Sequence, residues 1–316
     1  MKIRTLLGGF ASYIPGLYKL FSRGTGGTIS AQYCYSVWLI HLVMAYKNGL
    51  STQLDTIAEL GPGDSIGIGL AALISGVNRY YAFDVVDYTS NKRNIEIFDE
   101  LVDLFKKREK IPNENEFPRV KPCLDHYAFP NHILTHERLN EALKQDRIES
   151  IRNALLNLGS RGENNTEISF FVPWYDTKII KEKSIDMIYS QAVMEHVDDL
   201  AYTYKALYRW LKPGGFMSHV IDFECHRTAK EWNGHWAYSD FVWRLIKGKR
   251  PYLLNREPHS AHINLMQKFG FEVICDVKTK DTSGVERKSL APRFKNMSDD
   301  DLITSSAFIQ VVKKLI

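Results

Sequence analysis

The sequence predicts a doubly wound α/β fold, in which a mostly parallel sheet carries helices on both faces. Apolar strand-like runs alternate with segments whose apolar residues recur at helical spacing, as in a sheet with crossover helices. A glycine-containing loop, Gly61 to Gly67, follows the first run, and Glu59 and Asp84 stand at the ends of the first two runs. Strands are expected near residues 55–60, 80–84, 168–172, 185–190, 215–221, 271–276 and 306–313.

The loop after the first strand has the composition of a nucleoside-binding turn. Gly61 and Gly63 permit a tight turn and close approach of a ligand, and the start of the next helix is expected to supply unpaired N–H donors. A dinucleotide fingerprint has glycine or alanine where this chain has Ile66, and Glu59 would repel a pyrophosphate yet suit an ammonium group. The loop therefore favours S-adenosyl-L-methionine, which has an aminoacyl end and no phosphate. The alternative is a plain strand–turn–helix.

Four segments, taken in order, resemble those of class I S-adenosylmethionine-dependent methyltransferases of the broad methyltransferase type 11 kind. They are the loop from Glu59 to Gly67, Phe83-Asp84, residues 184–197 and residues 207–215. The resemblance covers residues 54–90 and 166–223, and it is weaker towards the C-terminus. It implies a Rossmann-like doubly wound sheet built from the seven expected strands, with the last strand antiparallel between its neighbours. It also implies methyl transfer from S-adenosyl-L-methionine.

Composition and cysteine usage disfavour several classes of protein. With 44% hydrophobic and 25% charged residues in a chain of 316, the composition is that of an ordinary globular enzyme. The net charge of +4 does not argue for nucleic acid as a partner. The four cysteines include no C-x-x-C pair, which disfavours a disulfide scaffold or structural zinc and favours a reducing cytoplasm. There is no run of about eighteen apolar residues, so no spanning helix is predicted.

Residues 1–23 are basic and rich in aromatic and aliphatic side chains. One interpretation is a segment that rests on the inner face of a membrane and attaches a cytoplasmic enzyme peripherally. The interpretation that we favour is a helix folded onto the domain as a lid or dimer contact. Gly8, Gly9 and Pro15 interrupt any single long amphipathic helix in this segment.

The chain divides into an N-terminal helical segment, residues 1–50, and a methyltransferase domain, residues 51–316. A helix is expected within residues 25–50. Residues 88–166 are interpreted as an inserted helical subdomain, because a minimal crossover between parallel strands is much shorter. Asp146 and Glu149 stand where an N-cap and its capping partner would. The insertion could close over the acceptor, or it could be an ornament or an oligomer contact.

Ligands of open α/β sheets bind beyond the carboxyl ends of the strands, so the residues that follow each strand are candidates for the cofactor site. Glu59, Gly61 and Gly63 are expected to hold the methionine end of S-adenosyl-L-methionine. Asp84 is expected to hold the ribose hydroxyls, with Asp87 as the fallback if the strand is longer.

The sequence leaves two ways open in which the adenine ring could be bound. After the third strand, relatives usually carry an acidic residue beside adenine, whereas this chain has Trp174 or Tyr175. The adenine ring is then stacked, or held by backbone groups and Asp176. Ser190 and Gln191, which follow the fourth strand, complete the candidate cofactor residues.

The acceptor side is expected after the fourth and fifth strands. If a hydroxyl is methylated, a base should remove its proton, and histidine is the usual base near neutral pH. His196 is the first candidate, although a Glu-His pair at this point also fits a structural or cofactor-side role. Asp222 is the alternative base, and His219 is expected to be packed within the sheet.

Beyond the fifth strand, residues 231–238 and His226 form an aromatic, histidine-rich stretch that suits the wall of an acceptor pocket. His219, Asp222, His226 and His235 are of types that bind metals, but their spacing matches no compelling ligand pattern, and no metal is predicted.

A basic band follows, which suits either an anionic acceptor or a solvated helix face. Its members are Arg244, Lys247, Lys249, Arg250 and Arg256. The sequence predicts O-methylation of a small-molecule or glycan acceptor, anionic if the basic band grips it. One alternative is a binding or assembly protein of the same fold without transfer activity. Another, an RNA or protein methyltransferase, is disfavoured because there is neither an Asn-Pro-Pro-Tyr-like motif nor a strongly basic face.

Overall fold

The protein was analysed as a computed structural model, which describes residues 3–13, 27–158, 166–174, 176–250 and 253–314. The strands in these ranges are β1 (Thr56–Leu60), β2 (Arg79–Phe83), β3 (Glu167–Phe171), β4 (Ile185–Gln191), β5 (Leu211–Asp222), β6 (Phe271–Lys280) and β7 (Thr304–Lys313). The α-helices are α1 (Ile3–Ala11), α2 (Ala31–Lys47), α3 (Gly67–Ile74), α4 (Asn91–Lys107), α5 (His136–Ala142), α6 (Gln145–Leu156), α7 (Leu200–Trp210), α8 (Asp240–Lys247), α9 (His259–Lys268) and α10 (Asp299–Ile303).

The described strands form one seven-stranded sheet in the order β3-β2-β1-β4-β5-β7-β6. Strands β1 to β5 are mutually parallel, and β7 runs antiparallel between β5 and β6. The predicted doubly wound α/β sheet is therefore confirmed, including the antiparallel last strand. The observed bounds of β1 to β4 lie within one residue of those expected, whereas β5 begins four residues earlier than the expected 215.

Helices cover both faces of the sheet. On one face α2, α3, α4 and α6 pack with the sheet in one apolar cluster. On the other face α7 and α9 do the same. The Asp199 side chain accepts a hydrogen bond from the Tyr202 N–H and caps the start of α7.

The predicted insertion, residues 88–166, contains α4, α5 and α6 among its described residues. Apolar side chains of α4 and α6, such as Phe98, Leu101 and Ile151, are buried in the same cluster as α2 and α3. These two helices are thus part of the layer that covers the sheet.

The predicted N-cap of α6 is wrong by two residues. Lys144 occupies the cap position and the helix begins at Gln145, whose side chain donates to the Glu149 carboxylate (2.7 Å). Gly159, the expected end, lies outside the described residues.

At the N-terminus, α1 packs on α8. Of the segment 1–23, residues 14–23 lie outside the described part of the chain. None of the described helices is both long and apolar enough to cross a bilayer.

Candidate active site

The glycine loop lies where the carboxyl ends of β1, β2 and β4 meet. Gly61 and Gly63 have φ of +62° and +75°, in the left-handed region that favours glycine. The Gly61 N–H donates to the Phe83 carbonyl (2.8 Å), which ties the loop to the end of β2. A Cβ on Gly61 would lie 2.6 Å from a methyl carbon of Val193, just after β4. Glycine is therefore required here both by backbone conformation and by close approach.

The expected free donors at the start of α3 are not free, and this correction bears on the ligand. The N–H groups of Ser65 and Ile66 donate to the Thr28 hydroxyl (2.9 Å) and the Asn94 side-chain oxygen (3.1 Å). The Gly67 N–H donates to the Ser65 hydroxyl (3.1 Å). Thr28 precedes α2 and Asn94 lies on α4, so the occupation of these donors is a tertiary effect. Because these N–H groups already donate within the protein, the start of α3 is poorly suited to bind a phosphate.

Glu59 is enclosed by protein. Its carboxyl group is 1% exposed, and one oxygen accepts hydrogen bonds from the hydroxyls of Tyr80 (2.5 Å) and Tyr189 (2.9 Å). Burial raises the pKa of Glu59 to about 7, against the opposing effect of the two hydroxyls. The Tyr80 ring lies against Gly69 of α3, where a Cβ would be 2.1 Å from the ring. Glu59 thus supports the loop from inside, and its contact with the methionine ammonium group stays a prediction.

Asp84 follows β2 directly and remains partly exposed. Its carboxylate accepts hydrogen bonds from the N–H groups of Val85 (2.6 Å) and Val86 (3.3 Å). Burial raises the pKa of Asp84, while these donors and the Gly63 N–H oppose the rise. Asp84 therefore lies beside the glycine loop. Asp87 is exposed, and its carboxylate binds Thr89.

Trp174 follows β3 and packs into the core. Its ring contacts those of Phe83 and Trp210, at centroid distances of 5.7 and 5.5 Å. Residues 170–174, with Asp176 and Ile179, line a cavity of about 440 Å³ at this end of the strand. Tyr175, the other candidate beside adenine, lies outside the described residues.

Ser190 and Gln191 point to opposite faces of the sheet, as neighbours in a strand must. The buried hydroxyl of Ser190 is hydrogen-bonded to His219 Nδ1 (2.8 Å). Burial lowers the pKa of His219 to about 3, so this imidazole is neutral, as expected of a packed histidine. The Gln191 Oε1 is buried, and its interaction with the His41 imidazole of α2 opposes the lowering of the His41 pKa by burial. The cofactor contacts of Ser190 and Gln191 stay predictions.

The structure brings both candidate catalytic residues together. Glu195 and His196 lie in a turn just after β4, and Asp222 ends β5. Asp222 accepts a hydrogen bond from Nε2 of His226 (3.0 Å), and the rings of His196 and His226 lie 5.0 Å apart. His226 has a φ of +44°, a strained conformation for a non-glycine residue, of the kind that functional sites retain. The sequence predicted His226 as a pocket wall and missed its pairing with Asp222.

Two carboxyl groups of the cluster differ in acidity. Glu195 is buried, and backbone N–H groups of Glu195 and Asp222 interact with its carboxyl group. Burial, and then the charge of Asp222, raise the pKa of Glu195 well above its usual range. Burial would also raise the pKa of Asp222, but the hydrogen bond and charge of His226 lower it below its usual value. Asp222 is therefore the stronger acid of the two and Glu195 the weaker one.

A distant segment fixes the turn that carries Glu195 and His196. The side-chain amide of Asn255 donates to the carbonyls of Met194 (2.8 Å) and Val197 (3.0 Å). Its backbone N–H donates to the Glu195 carbonyl (2.8 Å). Asn255 follows the turn by some sixty residues, so no local pattern in the sequence could have identified it.

The predicted aromatic wall is mainly core. His235 and Trp236 are each 1% exposed, and burial lowers the pKa of His235 to about 3. The buried Arg256 donates to the carbonyls of His235 and Tyr238. Two other residues of the basic band are also bonded to protein groups: Lys247 pairs with Asp198, and Arg250 donates to a backbone carbonyl. A cation nearer the cluster is Arg119, whose charge favours the ionised forms of Asp222 and Glu224. It belongs to segment 88–166, which thus reaches the acceptor side.

Glu195, His196 and His226 also carry the ligand types of a metal site. One ligand atom from each lies within 4.8 Å of the others. Bonds of about 2.1 Å to zinc place ligand atoms about 3.4 Å apart, so the cluster would have to contract to hold such an ion.

The sequence model of a family described as a methyltransferase domain matches residues 56–276. No curated protein matches the chain. Solved structures similar to it include an S-adenosylmethionine-dependent methyltransferase from Mesorhizobium loti, at 12% identity over 88% of this chain and 97% of that one, with a TM-score of 0.42. Phosphoethanolamine N-methyltransferase 2 from Haemonchus contortus, in complex with S-adenosyl-L-methionine, gives 14% identity over 88% of this chain and 53% of that one, with a TM-score of 0.43.

Proposed function

Because the chain belongs to this family of methyltransferase domains, we propose that it methylates a hydroxyl oxygen of a small molecule or glycan, with S-adenosyl-L-methionine as the donor. The observation that carries the proposal is the cluster of His196, Asp222 and His226 at the carboxyl ends of β4 and β5. In an open sheet this edge is where the acceptor would lie beside the donor.

The donor side fits S-adenosyl-L-methionine. Gly61 and Gly63 form a turn whose backbone conformation favours glycine, and Asp84 offers a partly exposed carboxylate beside that turn. Asp84 would hold the ribose hydroxyls, and the glycine loop the methionine end. When bound, this cofactor supplies an electrophilic methyl group on a positively charged sulfur.

The acceptor side fits an oxygen nucleophile, which must lose a proton as it is methylated. The Nε2–H of His226 donates to Asp222, which leaves Nδ1 of the same ring to take that proton. The ionised Asp222 would then stabilise the imidazolium, as a buried carboxylate does in hydrolase triads. His196 lies against His226 and is the second candidate for the base. When it is protonated, Glu195 would donate a hydrogen bond to an acceptor oxygen.

The experiment is a screen of hydroxylated acceptors, sugar intermediates first, for S-adenosylhomocysteine release. With an active acceptor, His226→Ala and His196→Ala are compared for turnover and for donor binding by calorimetry. The variant that lacks the base should turn over about a hundredfold or more slowly than the wild type, while its affinity for the donor stays nearly unchanged. His136→Ala, exposed at the start of α5, is the matched control.

Three outcomes would redirect the assignment. Donor binding without product for any acceptor would favour the binding or assembly protein. Product formed only on RNA or protein would favour an RNA or protein methyltransferase. Equal turnover in both histidine variants and wild type would reject an acid–base role for the cluster.

A further inference from the structure

The N-terminal helix is fixed to the domain through very close contact with α8. A Cβ on Gly9 would lie 2.0 Å from the Leu245 carbonyl oxygen, so only glycine permits the approach. The Ser12 hydroxyl accepts a hydrogen bond from the Lys249 N–H (2.8 Å), just beyond the end of α8. The helix therefore has one determined inner face, which also places Leu6 against the cluster of Trp243, Ile246 and Leu254.

The outer face of α1 is apolar and exposed. Leu7 and Phe10 lie three residues apart on α1 and are 60% and 56% exposed, and Tyr13, just beyond the end of the helix, is 55% exposed. α8 adds Phe241, which is 64% exposed. Large apolar side chains at this exposure are normal when single, but a stripe on two packed helices marks an interaction surface.

Basic side chains lie beside these exposed apolar side chains. Lys247 is paired with Asp198, and the Arg250 guanidinium donates to the Ile246 and Lys247 carbonyls. Arg244 and Lys249 remain exposed. The Lys249 ammonium lies 5.3 Å from the centroid of the Tyr13 ring, so charge and apolar surface adjoin directly.

We propose that this surface, formed by the outer face of α1 with Phe241, Arg244 and Lys249, docks on an anionic phospholipid bilayer. Exposed aromatic and aliphatic side chains insert at the acyl boundary while basic groups meet anionic headgroups. Charge decides against a second copy of the chain, since the same face on two copies would bring like charges together. The proposal does not depend on methyl transfer.

On its buried side, α8 packs towards the candidate active site. α8 follows residues 231–238 directly, and its Trp243 lies 6.3 Å from His235 by ring centroids. A bilayer held against α1 and α8 would place the acceptor side near the membrane, where a lipid-linked acceptor could reach it.

The test is sedimentation of the full chain with vesicles of phosphatidylcholine containing roughly 30% phosphatidylglycerol, and with phosphatidylcholine alone. We expect binding to the anionic vesicles, lost at about 0.5 M salt, where charge interactions are screened. A Leu7→Ser/Phe10→Ser double variant should bind at least about tenfold more weakly. Arg244→Gln and Lys249→Gln should each weaken binding to the anionic vesicles about fivefold. Circular dichroism checks that each variant is folded.

Leu156→Ser and Tyr46→Ser serve as matched controls, since both side chains are 51% exposed on other helices. Absence of vesicle binding, or equal losses in the controls, would overturn the proposal. Concentration-dependent dimerisation that the double variant abolishes, without vesicle binding, would assign the surface to a second copy and overturn it as well.

Discussion

Replacing Glu59 with glutamine should change how the stability of the protein depends on pH. Burial raises the pKa of this carboxyl group from 4.5 to about 7. Because the folded-state value is the higher one, the protonated carboxyl contributes stability that is fully present below pH 4.5 and is lost as the pH rises through 7. A gap of about 2.5 pH units corresponds to about 3 kcal/mol.

Glutamine resembles the protonated carboxyl in shape, can accept from Tyr80 and Tyr189, and carries no charge. Glu59→Gln should therefore match the wild type near pH 4.5 and exceed it by about 3 kcal/mol above pH 8. The assay is urea unfolding followed by circular dichroism across this range. The difference between the two free energies of unfolding is compared at each pH, so that other titrating groups cancel.

Glu100→Gln is the matched control, because Glu100 is exposed on α4 and its replacement should leave the pH profile unchanged. Parallel profiles for Glu59→Gln and wild type would refute the reasoning. They would mean that the ionised carboxylate is as well stabilised as in water, in spite of its burial and its two phenolic donors.

Three further predictions concern the ligand sites. Gly61→Ala should lower the free energy of unfolding by about 1–3 kcal/mol, because Gly61 has a φ of +62° and lies against Val193. Adding Val193→Ala should recover only the part of this loss that comes from the steric contact, as measured in unfolding experiments. Asp84→Ala should weaken binding of S-adenosyl-L-methionine at least tenfold, about 1.4 kcal/mol, with Asp87→Ala as the control; unchanged affinity in calorimetry would reject the ribose role. Treatment with EDTA should leave turnover unchanged, whereas a loss that zinc reverses would reassign Glu195, His196 and His226 as metal ligands.

The sheet could be predicted closely because its signals are local. Apolar runs bounded by turn residues predicted the bounds of β1 to β4 to within one residue. The N-cap of α6 was misplaced, because charged residues at successive positions give competing cap signals and the first residue of a helix depends on one or two hydrogen bonds. Position along the chain was also enough to predict that Asp84 and Asp222 lie at the carboxyl ends of β2 and β5, whereas their roles stay predictions.

The partners of those residues could not be predicted in the same way. Thr28 and Asn94, which occupy the N–H groups at the start of α3, come from two other helical segments. Asn255, which fixes the turn of Glu195, is equally remote in sequence. Side-chain hydrogen bonds between distant segments leave no periodic trace, so sequence spacing carries no information about them.

The sequence by itself determined the parallel sheet, the glycine turn and the edge of the sheet where the candidate site residues lie, because these follow from residue periodicity and backbone conformation. Only the tertiary structure decided that Glu59 is enclosed by two tyrosines, that His226 is the partner of Asp222, and that α1 presents an apolar face outward. Those outcomes depend on which side chains packing brings within hydrogen-bond distance and which it leaves to solvent.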